Sequence, residues 1–431
     1  MKPYSIRSNE ELAAEKKELE KKYEEFKARG LKLDITRGKP SALQLDLSEP
    51  LLTAVVKNED CRAADGTDCR NYGLQNGIPE MRELMGQIAG APADQTIVCG
   101  NASLNIMFDT VSRAFTHGIC GNTPWGKLDK VKFLCPVPGY DRHFAVTEHF
   151  GVEMVNVPML PTGPDMDMVE ELVSKDDSIK GIWCVPKYSN PQGITYSDET
   201  VRRFARLKPA ADDFRIFWDN AYGLHHLYND ESKQDKLLNI IEECEKAGNP
   251  DLVFVFCSTS KITYAGAGVA AIASSKKNIA EISNHIKYQT IGSDKMNQLR
   301  HIKFLKDFDG LKAQMAKHAD LLRPNFEMVY KKLNEHLGGL EIAKWTEPKG
   351  GYFICFEALD GCAADIVKMA KEAGLSLTEA GSVFPYHKDP RDSYIRIAPS
   401  MPPVHELEMA GDLFGLCVKI VSINKLLAER A

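Results

Sequence analysis

Residues 252–261 read LVFVFCSTSK: six apolar residues, three small hydroxyl residues and a lysine. A short run of Val, Leu and Phe closed off by polar residues is the pattern of a strand buried on both faces. The residues that follow, ITYAGAG, carry no charge. Lys261 therefore stands in a small-residue, poorly solvating stretch, which lowers the pKa of an amine and favours imine formation.

The same pattern recurs upstream. Thr96–Cys99 is an apolar run followed by Gly100, Asn101, Ala102 and Ser103, which open a helical pattern through Phe115. Val131–Val137 leads into Pro138, Gly139 and Tyr140, and Ile182–Pro186 leads into Tyr188, Ser189, Asn190 and Pro191. Arg215–Trp218 is followed by Asp219 and Tyr222. Amphipathic stretches lie between the runs, among them Asp198–Leu207 with Ser197 as a natural N-cap. Strands alternating with helices predict an α/β fold built on a mostly parallel sheet covered on both faces. Beyond about residue 300 the texture changes to one long helical stretch, roughly 296–337. A smaller α/β part follows, with strands near 351–356 and 394–397 and helices near 364–373 and 404–427. At the other end, residues 9–30 predict a charged surface helix with Leu12, Leu19, Tyr23 and Phe26 on one face and Gly30 closing it.

In open α/β sheets ligands bind beyond the carboxyl ends of the strands, and five polar segments converge there. The turn Gly100–Ser103, with Asn101 and Ala102 inside it, opens a helix and so offers free N–H groups to a phosphate, and Ser258 and Ser260 add hydroxyls. Lys261 offers an amine to an aldehyde. Asp219 can keep a heterocyclic nitrogen protonated, Asn190 and Tyr222 can donate to a phenolate oxygen, and Tyr140 can stack on a ring. Phosphate, aldehyde, protonated pyridine nitrogen and phenolate together describe pyridoxal 5′-phosphate.

Composition excludes several alternatives. Of 431 residues 43% are apolar, and 54 Lys and Arg face 60 Asp and Glu, a net charge of −6 that disfavours a general nucleic-acid binder. No apolar run approaches the roughly 18 residues of a membrane span, and MKPYSIRSNE lacks the apolar core of a secretory signal. Eleven cysteines without a CxxC pair read as reduced thiols, so a soluble cytoplasmic protein is expected. Two phosphate-loop lookalikes fail. Gly121–Lys127 has Leu128 where a magnesium-binding hydroxyl belongs, and Pro124 and Trp125 suit a surface loop. Gly266–Ala271 lies too far beyond its strand for a dinucleotide fingerprint, so its glycines read as close backbone packing. His225 and His226, taken as strand neighbours facing opposite ways, read as structural histidines, and no metal is expected.

The segments YSNPQG, WDNAY, STSK, PKGGYF and SYIRIAPS resemble those of the fold-type-I aminotransferases. With RGKP, CPVPGYDRHF, GPDMDMVEEL and STSKITYAGAGVAA, the text from about residue 20 onward is most similar to the bacterial aspartate aminotransferases of subgroup Ic. Asn190, Asp219, Tyr222 and Lys261 stand in order, 29, 3 and 39 positions apart. The resemblance implies the PLP-dependent transferase fold type I: a large domain with a mostly parallel sheet over residues 50–310, and a smaller α/β domain from 1–49 and 311–431. It implies that Lys261 holds the cofactor and moves the proton, that Asp219 pairs with the pyridine nitrogen, and that Tyr222 assists. It further implies that Arg396 binds the substrate α-carboxylate with Asn190 and the backbone of Gly38, and that Tyr72 reaches across a homodimer interface to the partner's phosphate. Relatives carry an arginine eight residues after the lysine as a phosphate ligand, whereas this chain has Val269.

The implied reaction takes the amino group of L-aspartate to 2-oxoglutarate, with an amino acid and a 2-oxo acid as the small-molecule partners. An aminotransferase for aromatic or aminoadipate substrates, or a PLP-dependent lyase, shares the same cofactor shell. A dicarboxylate needs a second cation, and Arg37, Lys39, Arg142, Lys295 and Arg300 are the candidates. A regulator built on this domain would carry a winged-helix module before it, and RGKP starting at Arg37 leaves no room for one.

Overall fold

The computed structural model describes residues 2–431. A short strand β1 (Leu33–Asp34) precedes the strands of the central sheet: β2 (Thr96–Val98), β3 (Lys132–Val137), β4 (Glu153–Leu160), β5 (Gly163–Pro164), β6 (Ile179–Cys184), β7 (Arg215–Asp219), β8 (Val253–Ser258) and β9 (Ala270–Ala273). The later strands are β10 (Ala343–Trp345), β11 (Ile354–Ala358), β12 (Leu375–Ser376) and β13 (Tyr394–Ile397).

The central sheet runs β2-β9-β8-β7-β6-β3-β4-β5. Pairs β8–β7, β7–β6, β6–β3 and β3–β4 are parallel, and β9 is antiparallel to both β8 and β2. The continuous apolar runs exist because both faces are covered. Ile216 and Trp218 enter one core while Phe217 enters the other, and Val253, Val255 and Cys257 are likewise separated from Phe254 and Phe256. Two antiparallel steps bring β2 back to the direction of β8. The carboxyl ends of β2, β3, β6, β7 and β8 therefore share one edge, and that edge carries the polar segments.

A third core joins the two chain ends. It contains Tyr4, Leu12, Leu19 and Ile35 together with residues from Leu322 to Ile423. In it β11 pairs antiparallel with β10 and β13, and the helix Val404–Glu429 packs against Asn9–Ala28 and Phe308–Leu337. The helix Asn9–Ala28 starts at a reciprocal cap, with Ser8 N–H on Glu11 at 2.8 Å and Glu11 N–H on the Ser8 hydroxyl at 3.2 Å. No helix among the described residues is long and apolar enough to cross a membrane.

Three expectations change. The stretch 296–337 is two helices, Lys295–Leu305 and Phe308–Leu337, because Lys306 takes φ +68° and Asp307 restarts the helix by accepting from Gly310 N–H at 2.8 Å. The strand expected at 351–356 begins at Ile354, since Gly351 has φ +79° and turns against Tyr188, where a Cβ would stand 2.9 Å from the Tyr188 Cβ. Trp125 is no surface residue: it is buried and its indole donates to Asp213 at 2.7 Å. The close-packing reading holds for Gly268, where a Cβ would stand 2.9 Å from the Asn101 carbonyl, but not for Gly266, which has open space around it.

Candidate active site

Beyond β8 the chain turns sharply, with Thr259 N–H bonded to the Val269 carbonyl at 2.8 Å, and this turn delivers Lys261 to a cavity of about 510 Å³. Lys261, Tyr222, Asn190, Tyr140, Arg396 and Gly38 all line it. The lysine Nζ stands 4.8 Å from the centre of the Tyr222 ring. Burial lowers the Lys261 ammonium from its ordinary value, and the Asp219 charge works against that shift. Burial also raises the Tyr222 phenol well above the usual range, so it stays a donor.

Asp219 ends β7 and is buried. Its Oδ2 accepts from His143 Nε2 at 3.1 Å, and the imidazole is stacked on Trp183 at 4.5 Å between ring centres. Its Oδ1 is buried and has no hydrogen-bond partner among the described residues. A buried carboxylate oxygen without a donor is costly, and a protonated ring nitrogen is the kind of group that satisfies it. His143 was not singled out in the sequence. Its only signal is its place three residues after Tyr140, on the helix Asp141–His149 that opens from the end of β3.

The turn after β2 lines a second cavity, with Gly100 and Asn101 on its wall beside Arg300, and joins the Lys261 turn through Ser260. Ala102 is the N-cap of the 15-residue helix Ser103–His117, with no side chain capping it. The Ser258 hydroxyl donates to Ser260 at 3.1 Å, and the Ser260 hydroxyl donates to the Asn101 carbonyl at 3.4 Å. Free helix N–H groups and two hydroxyls therefore lie together, as a phosphate requires. Val269 is buried at the head of β9, in the core on one face of the sheet. Tyr72 is not in this cavity of its own chain: it is 79% exposed, and the next residue, Gly73, accepts from Lys295 Nζ at 2.8 Å. Lys295 and Arg300 likewise lie off the cavity, whereas Arg37, Lys39 and Arg142 line it.

Arg396 comes from β13, in the three-stranded sheet β10-β11-β13, and lines the cavity. Its Nη1 donates to Asp141 Oδ1 at 3.1 Å and to Asn190 Oδ1 at 3.4 Å. The guanidinium carbon lies 4.8 Å from the centre of the Phe353 ring, and Nε is buried without a partner among the described residues. Gly38 is tight against the same ring, where a Cβ would stand 2.5 Å from Phe353 Cζ. His225 and His226 are not strand neighbours. They follow Tyr222 in a turn, where His225 packs edge-on to Tyr222 and Tyr352 and His226 shares a 2.7 Å hydrogen bond with the Tyr188 hydroxyl.

Residues 7–430 match the profile of the family described as aspartate amino-transferase. The chain belongs to this family. An aspartate aminotransferase of Corynebacterium glutamicum is 45% identical over 406 residues, covering 94% of this chain and 93% of its own. The crystal structure of an aspartate transaminase from Corynebacterium glutamicum superposes with a TM-score of 0.93 at 44% identity, covering 96% of this aminotransferase and 97% of that chain. An alpha-aminoadipate aminotransferase of Thermus thermophilus shares the fold, with a TM-score of 0.73 at 17% identity over 94% of both chains. The mostly parallel sheet and its flanking helices are thus the aminotransferase fold.

Proposed function

We propose that this aminotransferase uses pyridoxal 5′-phosphate to move the amino group of L-aspartate to 2-oxoglutarate, giving oxaloacetate and L-glutamate. The observation that carries the reading is the pairing of a half-buried lysine with a nearby buried carboxylate whose Oδ1 lacks a partner among the described residues. These residues fit a phosphorylated pyridine aldehyde. The turn Gly100–Ser103, Ser258 and Ser260 would hold its phosphate, Lys261 its aldehyde, Asp219 its ring nitrogen, Asn190 and Tyr222 its phenolate, and Tyr140 would contact its ring. When bound, the cofactor supplies the electron sink for the pair left on Cα as its proton departs.

The chain's own groups do the rest. Arg396 takes the α-carboxylate and so fixes the orientation of Cα, with Asn190 and the Gly38 backbone beside it. Lys261, whose ammonium burial lowers from its ordinary value, takes the proton from Cα and returns it on the other side of the exchange. His143 fixes the Asp219 carboxylate by donating to Oδ2. Arg37, Lys39 and Arg142 line the cavity without an ion pair among the described residues, which supports one of them as the contact for a second carboxylate.

The reading includes a homodimer in which Tyr72 of each copy completes the other's phosphate site; its exposure supports that. It divides the chain into a large domain, 50–310, and a smaller one, 1–49 with 311–431, in keeping with the third core. It places the enzyme in the cytoplasm, where its eleven free cysteines stay reduced. The test is product analysis with aspartate and 2-oxoglutarate. Equal yields of oxaloacetate and glutamate support transamination, and pyruvate with ammonia contradicts it.

A further inference from the structure

We propose that Asp141 is a built-in counter-ion of Arg396, half-neutralising the guanidinium before a ligand arrives and so setting how tightly the cavity holds carboxylates. The inference rests on the reading of Arg396 as the α-carboxylate site. Asp141 begins the helix that also carries His143 and directly follows Tyr140, so three neighbouring residues serve three separate surfaces of one site. Its carboxylate is 3.1 Å from Nη1, with the arginine side chain 7% exposed and the aspartate 28% exposed.

Nη1 also reaches Asn190, the Phe353 ring lies against the group, and the buried Nε has no partner among the described residues. The Nε–Nη2 edge, the edge suited to a two-pronged carboxylate, is thus left for a ligand while Asp141 holds the opposite corner. A carboxylate arriving there meets a cation already sharing its charge and a like charge close by, and both weaken its binding. Arg37, Lys39 and Arg142 have no such carboxylate partner among the described residues, so Arg396 is the tempered cation of the cavity.

The test uses succinate as a non-reacting dicarboxylate probe, titrated into the cofactor-loaded enzyme, together with steady-state aspartate kinetics. Asp141→Asn keeps an acceptor and removes the charge. It is expected to lower the succinate Kd and the aspartate KM by about 3- to 10-fold, the scale of a partly exposed ion pair, with the change in KM rather than kcat. Because the pair is partly solvated, that gain should shrink as salt rises. Asp141→Glu, which restores the charge, should bind succinate within about twofold of the parent on the same scale. Unchanged or weaker succinate binding in Asp141→Asn overturns the proposal, as does Asp141→Glu behaving like Asp141→Asn. Arg396→Ala is run alongside: undiminished succinate binding there would instead remove the assignment of Arg396 on which the proposal rests.

Discussion

His143 Nε2 donates to Asp219 Oδ2 at 3.1 Å while Asp219 Oδ1 has no partner among the described residues, so the helix after β3 fixes the carboxylate at the end of β7 and leaves one oxygen for a ligand. Asp219→Asn removes the charge that holds a ring nitrogen protonated and is expected to lower kcat by on the order of 100- to 1000-fold. His143→Leu should cost about 10-fold, since it acts through Asp219. The double variant should be no worse than Asp219→Asn alone, because the two act as one unit. Additive losses in steady-state kinetics would contradict that coupling.

Lys261→Ala is expected to fold and to lose nearly all turnover. A second variant separates chemistry from stability. Burial lowers the Lys261 ammonium, so at neutral pH the lysine opposes folding, and Lys261→Met without cofactor should melt no lower than the parent. A clearly lower melting temperature would show that Lys261 supports the fold.

Lys187 gives a pH prediction. Its ammonium donates to the Gly223 carbonyl at 2.9 Å, just after Tyr222, and burial pushes it down to about 8. Between that value and the ordinary value of 10.5 the unfolded chain binds more protons than the folded one, so this group makes stability rise with pH across the window. Relative to Lys187→Met, the parent should therefore gain melting temperature from pH 8 to pH 10. A parallel pH dependence in the two proteins would refute the assignment.

Asp213 anchors the sheet far from the cavity. It accepts from Lys180 Nζ and Trp125 Nε1, both at 2.7 Å, and all three are buried. Asp213→Ala leaves a buried ammonium and an indole N–H without partners and should destabilise the protein by about 3–5 kcal/mol in denaturant unfolding. A loss under about 1 kcal/mol would mean that water replaces the carboxylate.

Much of the site was legible because chemistry follows strand ends. Each buried run in β3, β6, β7 and β8 ends before the residues that carry the chemistry, and the parallel topology then gathers Tyr140, Asn190 and Lys261 around one cavity with Asp219 near the lysine. What was not legible depended on partners distant in sequence. His143 sits among the charged residues of DRH and reads as surface until Asp219, 76 positions away, comes to meet it. Asp141 was hidden in the same way by Arg396, 255 positions away. Strand β9, of small residues, read as part of a glycine-rich run because its strand character comes from pairing antiparallel to β8 and β2. The break at Lys306 was missed because a left-handed lysine has no local signature, although Asp307 before Gly310 is a plausible restart.

The most direct test of the central claim is the absorption spectrum of the purified protein with pyridoxal 5′-phosphate, recorded before and after L-aspartate and then after 2-oxoglutarate. The account predicts a long-wavelength cofactor band that bleaches with aspartate, returns with 2-oxoglutarate, and is missing from Lys261→Ala. A protein that develops no such band with added cofactor, or whose band ignores aspartate, would contradict it.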